Sequence, residues 1–156
     1  MHFDIICLEP FGSKREDWAE PDAMEDPVLI ANTDYIGYRH SDHDRKMTIK
    51  SKWFKTLVSP YATIDTEKET ITFLDRETIR KNFQDYLIEV TEKLHEQALE
   101  RKLSGFEFRF AGREWKGYPT LFYMDGCGRT NFEMFEYAEW YADQTYQIGY
   151  IYDAHV

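Results

Sequence analysis

The stretch DRETIRKNFQDYLIEVTEKLHEQALERKLSG, residues 75–105, decides the fold, because it predicts one long amphipathic helix. Asp75 is a suitable N-cap at its start, and Gly105 tolerates the positive φ that often follows a helix end. Between them, residues 76–103 predict a helix about 42 Å long. Apolar residues recur on one face of this helix in steps of three and four: Ile79, Phe83, Tyr86, Leu87, Val90, Leu94 and Ala98. We expect the rest of the chain to pack on this apolar stripe.

Short apolar or alternating runs before the long helix predict strands at residues 2–8, 28–31, 46–53, 61–65 and 69–74. The third run has the clearest pattern, because Met47, Ile49 and Trp53 alternate with lysines and imply one basic and one apolar face. The last two runs predict a hairpin that leads into the helix. The aromatic residues Phe11 and Trp18 are expected to anchor an ordered loop after the first strand.

Further strands are predicted after the long helix, at residues 106–110, 120–124 and 146–152. Thr130 and Glu133 stand in capping-box register, which predicts a second helix that runs to about Asp143. This pattern is typical of a single α+β domain over residues 1–156. Its expected core is a mainly antiparallel β-sheet with one long and one shorter α-helix packed on one face.

Charge is unevenly distributed along the chain, whose formal net charge is −10. Residues 1–45 hold 11 acids and 4 bases, residues 46–129 hold 13 and 15, and residues 130–156 hold 5 and none. The acidic ends argue against a nucleic-acid or anionic-membrane partner, because phosphate groups would be repelled. The lysines of residues 46–53, with Phe54 on the same face, suggest single-strand binding, but the surrounding charge disfavours that alternative.

The sequence carries no sign of export or of a bound cofactor. It has no run of about twenty apolar residues that would predict a transmembrane helix, and residues 1–4 do not resemble a secretory signal. Two cysteines, Cys7 and Cys127, are too few for a disulfide framework or a structural zinc site. We therefore expect a cytoplasmic protein that has neither a membrane partner nor a cofactor.

One alternative is a small enzyme centred on Cys127, which lies between two glycines just before the predicted second helix. The free N–H groups of a helix N-terminus favour a thiolate, and Arg129 offers a hydrogen-bonding fork for an anion. The simpler interpretation is a strand-to-helix turn, in which the glycines provide backbone freedom and the cysteine packs as a small apolar residue. The simpler interpretation is favoured, because the sequence shows no complete phosphate-binding spacing and implies no histidine partner.

A second alternative is a metal-dependent enzyme built on two imidazoles and two carboxylates in one polar segment: His40, Asp42, His43 and Asp44. These residue types bind zinc and other divalent metals. The segment lacks the fixed ligand geometry of a helical metal motif, and polar loops of this kind are usually solvated. We therefore expect neither a metal site nor catalytic residues, and the sequence favours a binding protein over an enzyme.

The most informative region is the acidic second helix, in which carboxylates recur in steps of three and four and no lysine or arginine follows Arg129. Aromatic residues fill most of its other positions, more than one helix face can bury. Exposed aromatics beside carboxylates are typical of a surface that binds a basic protein, although a core helix with a solvated acidic face is the alternative. The expected partner-binding residues are Glu133, Glu136, Glu139, Trp140 and Asp143.

These features favour a small acidic protein-interaction module that binds and blocks a protein partner with a basic surface. An immunity protein against a toxin, or a phage-type inhibitor, has a comparable size, acidity and aromatic content, which is a physical analogy and not a sequence match. The alternative is the small enzyme centred on Cys127 or on the His40–Asp44 segment.

Overall fold

The computed structural model describes residues 2–21, 26, 29, 35–102 and 120–155, and within them it contains one sheet of seven strands. In chain order the strands are β1 (His2–Pro10), β2 (Tyr35–Arg39), β3 (Ala62–Asp65), β4 (Thr70–Phe73), β5 (Leu121–Met124), β6 (Cys127–Thr130) and β7 (Thr145–His155). The sheet order is β3-β4-β7-β1-β5-β6, and β2 also pairs with β7. Among these strands β1 and β5 run parallel, and the other pairs are antiparallel.

The described residues form four α-helices: α1 (Asp42–Lys50), α2 (Lys52–Val58), α3 (Arg76–Leu99) and α4 (Asn131–Tyr137). Short 3₁₀ turns lie at Arg15–Asp17 and Ala138–Tyr141. Each α-helix contributes buried side chains to one core that also contains residues of β1, β5 and β7. The α+β prediction is therefore confirmed, with two more helices than the sequence suggested.

The two faces of the central strands enter separate hydrophobic clusters, as side-chain alternation along a strand requires. Ile6 and Leu8 of β1 face the helices, whereas Ile5 and Cys7 face a smaller cluster. Leu29 also belongs to this smaller cluster, together with side chains of β5 and β7. The sheet is thus buried on both faces, and its helical face carries the larger core.

The predicted basic strand over residues 46–53 is wrong, because this segment forms α1 and the start of α2. Two serine N-caps explain the difference: the Ser41 hydroxyl accepts a hydrogen bond from the Asp44 N–H, and the Ser51 hydroxyl accepts one from the Phe54 N–H. The period of two and the helical period both fit so short a segment, so its alternation misled the prediction.

Arg45 on α1 donates hydrogen bonds to β7 between the residues that pair with β4 and those that pair with β2. Its Nε donates to the Gly149 carbonyl oxygen at 2.6 Å, and its Nη2 donates to the Ile148 carbonyl oxygen. Its Nη1 contacts a carboxylate oxygen of Glu69 at 2.6 Å, and the side chain is only 4% exposed. A buried guanidinium therefore takes the place of a neighbouring strand along this part of β7.

The long helix begins as predicted but ends four residues early. The Asp75 side chain accepts a hydrogen bond from the Thr78 N–H, which confirms the predicted N-cap. At the other end, Arg101 has a φ of 56°, and the Lys102 N–H donates to the Gln97 carbonyl oxygen. This left-handed residue follows the end of the helix, whereas Gly105, which was predicted for that role, lies outside the described residues.

The apolar stripe of α3 is buried only near its N-terminal half. Ile79 and Tyr86 are buried, whereas Leu87 and Ala98 are exposed. The stripe packs mainly through aromatic rings on α4: the ring centroids of Phe83 and Phe135 lie 5.0 Å apart. The stripe is therefore packed less completely along its C-terminal half, where Val90 is only partly buried against the core.

The remaining predictions have mixed outcomes. The hairpin before α3, the strand over residues 120–124 and the final strand are confirmed, and the last extends to His155. Phe11 is exposed and so does not anchor its loop, whereas Trp18 packs edge-on against Tyr150 with ring centroids 5.1 Å apart. Two predicted strands, over residues 28–31 and 106–110, lie outside the described residues, except for Leu29.

Candidate functional site

The candidate site is the end of α4 and the 3₁₀ turn that follows it. Thr130 and Glu133 form the predicted capping box, which fixes where the helix starts. The helix then tightens into the 3₁₀ turn and stops near Asp143, whose φ is 62°. This arrangement leaves the Trp140 side chain 66% exposed.

Trp140 is held by a neighbouring ring despite its exposure. The Tyr137 ring meets it edge-on, with centroids 5.1 Å apart, a favourable aromatic geometry. The Arg129 guanidinium lies over the Tyr137 ring at 5.8 Å from its centroid. An arginine, a tyrosine and a tryptophan thus form a short stack that orients the outermost ring.

Two carboxylates close to Trp140 in sequence are exposed to solvent. Glu136 and Asp143 are exposed, and within the described part of the chain neither forms an ion pair with a lysine or arginine. We call these residues, with Tyr137, Glu139 and Trp140, the acidic–aromatic surface. It combines an exposed tryptophan with negative charges on the same short segment, which suits the binding of a cation or a basic side chain.

Glu139 has an internal partner that the sequence did not reveal, and Glu133 is held in the predicted capping box. A carboxylate oxygen of Glu139 lies 3.0 Å from Nε of Arg80 on α3. A carboxylate oxygen of Glu133 accepts hydrogen bonds from the Thr130 N–H at 2.7 Å and from its hydroxyl at 2.9 Å. Glu133 therefore serves the helix cap, and Arg80, distant in sequence, partly neutralises the surface.

Arg129, which contacts Tyr137 of the acidic–aromatic surface, also bonds to two other residues. Its guanidinium donates to the Met124 carbonyl oxygen at 3.2 Å and to the Tyr141 hydroxyl at 3.3 Å. Burial raises the pKa of Tyr141, and the positive charge of Arg129 partly opposes that rise. The anion-holding role considered for Arg129 is thus replaced by contacts within the chain.

Cys127 does not lie at a helix N-terminus, so the geometry imagined for an enzyme is wrong. It occupies β6, opposite Met124, and α4 begins four residues later at Asn131. Its neighbouring glycines have structural explanations. Gly126 has a φ of 75° in the tight turn, and a Cβ on Gly128 would lie 2.8 Å from a carboxylate oxygen of Asp26.

Three of the four residues considered for a metal site have separate partners, and the fourth is exposed. Nε2 of His40 lies 3.4 Å from a carboxylate oxygen of Asp4, and Asp42 accepts a 2.8 Å hydrogen bond from Arg15. Asp44 accepts a hydrogen bond from the Ser41 hydroxyl at 2.6 Å, while His43 is exposed on α1. Across residues 2–21, 26, 29, 35–102 and 120–155, no three metal-binding side chains are grouped to hold an ion.

Comparisons with known proteins do not assign a function to this chain. No helix in the described ranges is long and apolar enough to cross a bilayer. The chain matches no protein-family model, no curated protein and no solved structure.

Proposed function

We propose that this chain is a small protein-interaction module that binds and blocks a partner with a basic surface, through its acidic–aromatic surface. The observation that carries the proposal is the exposed Trp140, which packs against Tyr137 and lies between the exposed acids Glu136 and Asp143 in sequence. Tryptophan is over-represented among the residues that dominate binding energy in protein interfaces. The proposed partner is therefore a protein, and Trp140 is the residue of this chain that anchors the contact.

The charges beside Trp140 support a basic partner in particular. Two of the carboxylates have no cation partner among the described residues, and the chain carries a formal charge of −10. Complementary charge speeds the encounter of two proteins and disfavours acidic competitors. A blocking role follows if the basic surface of the partner is also its working surface, as in a nucleic-acid-binding enzyme.

The test is a comparison of Trp140→Ala with Phe11→Ala after the partner has been purified from the host. Phe11 is a matched control, because its side chain is 65% exposed and Trp140 is 66% exposed. We expect Trp140→Ala to speed dissociation by about 30-fold or more, equivalent to roughly 2 kcal/mol. Phe11→Ala should leave dissociation unchanged.

Both variants should unfold at nearly the wild-type denaturant concentration, because neither side chain is buried. That control separates a lost anchor from a damaged fold. Equal dissociation rates for Trp140→Ala and the wild type would remove Trp140 from the interface. If the partner also keeps its activity when the chain is bound, the blocking role is wrong.

A further inference from the structure

The C-terminal half of α3 has a second apolar face, which points away from the core. On the inner side of the helix, Ile79 and Tyr86 are buried in the core and Val90 packs against it. At about 100° per residue, Ile88 and Leu99 lie almost directly opposite that inner side. Six exposed residues without a fixed charge share this part of the helix surface, and we call them the outer face of α3: Leu87, Ile88, Thr91, His95, Ala98 and Leu99.

The apolar exposure on the outer face is concentrated and not scattered. Leu87 is 40% exposed, Ile88 is 57% exposed and Leu99 is 71% exposed. They are three of the seven large apolar side chains that are exposed in the described part of the chain. Single exposed apolar residues are normal on protein surfaces, whereas a group of them indicates a binding surface. The outer face is therefore a candidate for a contact with another molecule.

Acidic side chains border the outer face. Lys93 is the only lysine or arginine between positions 86 and 100, and Lys102 pairs with Glu100 at 2.7 Å. Glu92 stands four residues after Ile88, so it lies beside the outer face at helical spacing. Four glutamates in this stretch are exposed: Glu89, Glu92, Glu96 and Glu100. An apolar surface with an acidic border is complementary to a segment that has an apolar face and basic side chains beside it.

Charge favours such a basic segment over two other occupants of the outer face. A second copy of this chain carries the same formal charge of −10, and it would bring a second acidic border against the first. An anionic membrane would also repel the glutamates. A basic amphipathic helix satisfies both requirements, because its apolar side chains cover the outer face and its cations approach the glutamates.

We propose that the outer face of α3 binds a basic amphipathic helix of another protein, packed along α3 from Leu87 to Leu99. Ile88 and Leu99 are separated by about 16 Å along the axis, so a partner helix of about three turns spans the contact. This binding is separate from the one proposed for the acidic–aromatic surface. Arg80, which contacts that surface through Glu139, lies about 12 Å along α3 from Ile88.

The experiment measures the binding of a synthetic leucine–lysine peptide of about four helical turns, with its leucines on one face. Fluorescence anisotropy of the labelled peptide gives the dissociation constant. A peptide with glutamate in place of each lysine is the control for charge, and a scrambled leucine–lysine peptide is the control for the apolar face. We expect the amphipathic leucine–lysine peptide to bind the wild-type chain about tenfold or more tightly than either control.

Two double variants locate the peptide on the chain. Ile88→Ser with Leu99→Ser removes the apolar contact, and we expect it to weaken binding by about tenfold or more. Phe11→Ser with Met47→Ser is the matched control, because these side chains are 65% and 59% exposed and lie outside α3. The control pair should leave binding unchanged. Both pairs should keep the wild-type unfolding midpoint, since all four side chains are exposed.

Equal binding of the leucine–lysine and leucine–glutamate peptides would overturn the proposal, and so would equal losses of affinity in the two double variants. Loss of the peptide in Trp140→Ala would place it on the acidic–aromatic surface and overturn the assignment to α3. Sedimentation velocity tests the second copy: a wild-type dimer that Ile88→Ser with Leu99→Ser converts to a monomer would assign the outer face to self-association. None of these results decides the role of Trp140, which is tested with its own partner.

Discussion

At the scale of single residues, the role of each charged side chain depends on contacts that cross long sequence distances. Arg45 directly precedes the segment that was predicted to be a basic strand, yet it is buried and bonded to carbonyl oxygens of β7. Glu139 was expected to be unneutralised, yet Arg80 lies beside it. Composition identified these residues as charged, but only the fold identifies what each charge contacts.

The Arg45 contacts lead to a stability prediction. Arg45→Met keeps much of the side-chain volume but leaves Glu69 and two carbonyl oxygens without their donors. Removing one partner of a buried ion pair costs about 3 kcal/mol or more, so we expect a loss of that size in the free energy of unfolding. Urea unfolding followed by far-UV circular dichroism measures it.

Glu69→Gln is the matched control for Arg45→Met. The amide oxygen still accepts a hydrogen bond from Arg45, and the Glu69 side chain is 22% exposed, so its charge is partly screened. We expect this variant to lose about 1 kcal/mol. A loss below 1 kcal/mol in Arg45→Met would show that the guanidinium does not support β7.

At the scale of elements, features that depend on residues close in sequence were mostly predicted correctly, whereas features that depend on packing between distant segments were not. Asp75 and Thr130 are caps that act within three residues, and both were identified from sequence. The helix over residues 42–50 was missed because its alternation imitates a strand, although Ser41 was present as a cap signal. Which part of a stripe is buried depends on its neighbours, so the burial of α3 could not be read from periodicity.

The long helix provides a test of this uneven burial. Ile79→Ala empties a buried site near the start of α3, and we expect it to cost about 2–5 kcal/mol of the free energy of unfolding. Leu94→Ala lies on the same predicted stripe but is only half-buried, so we expect about 1 kcal/mol. Equal losses from the two substitutions would contradict the packing described for the helix.

At the scale of the whole molecule, total charge and the position of charge make separate predictions. The chain carries a formal charge of −10, so any basic partner is attracted to it from a distance. The proposed function makes a narrower claim. The carboxylates of Glu136 and Asp143 must speed association with the partner more than equal charges elsewhere on the chain do. Exposed acids on the C-terminal half of α3, such as Glu92 and Glu96, allow the two effects to be separated.

The final prediction compares two double variants that each remove two of the 29 acidic side chains. Glu136→Gln with Asp143→Asn neutralises the acidic–aromatic surface, whereas Glu92→Gln with Glu96→Gln neutralises α3. Because steering depends on where charges lie relative to the docking patch, the first pair should slow association with the basic partner and flatten its dependence on salt. The second pair should have a smaller effect on both. Association rates measured between about 50 mM and 500 mM salt decide the question. Equal slowing by the two pairs would mean that net charge alone attracts the partner, and the assignment of the acidic–aromatic surface would be wrong.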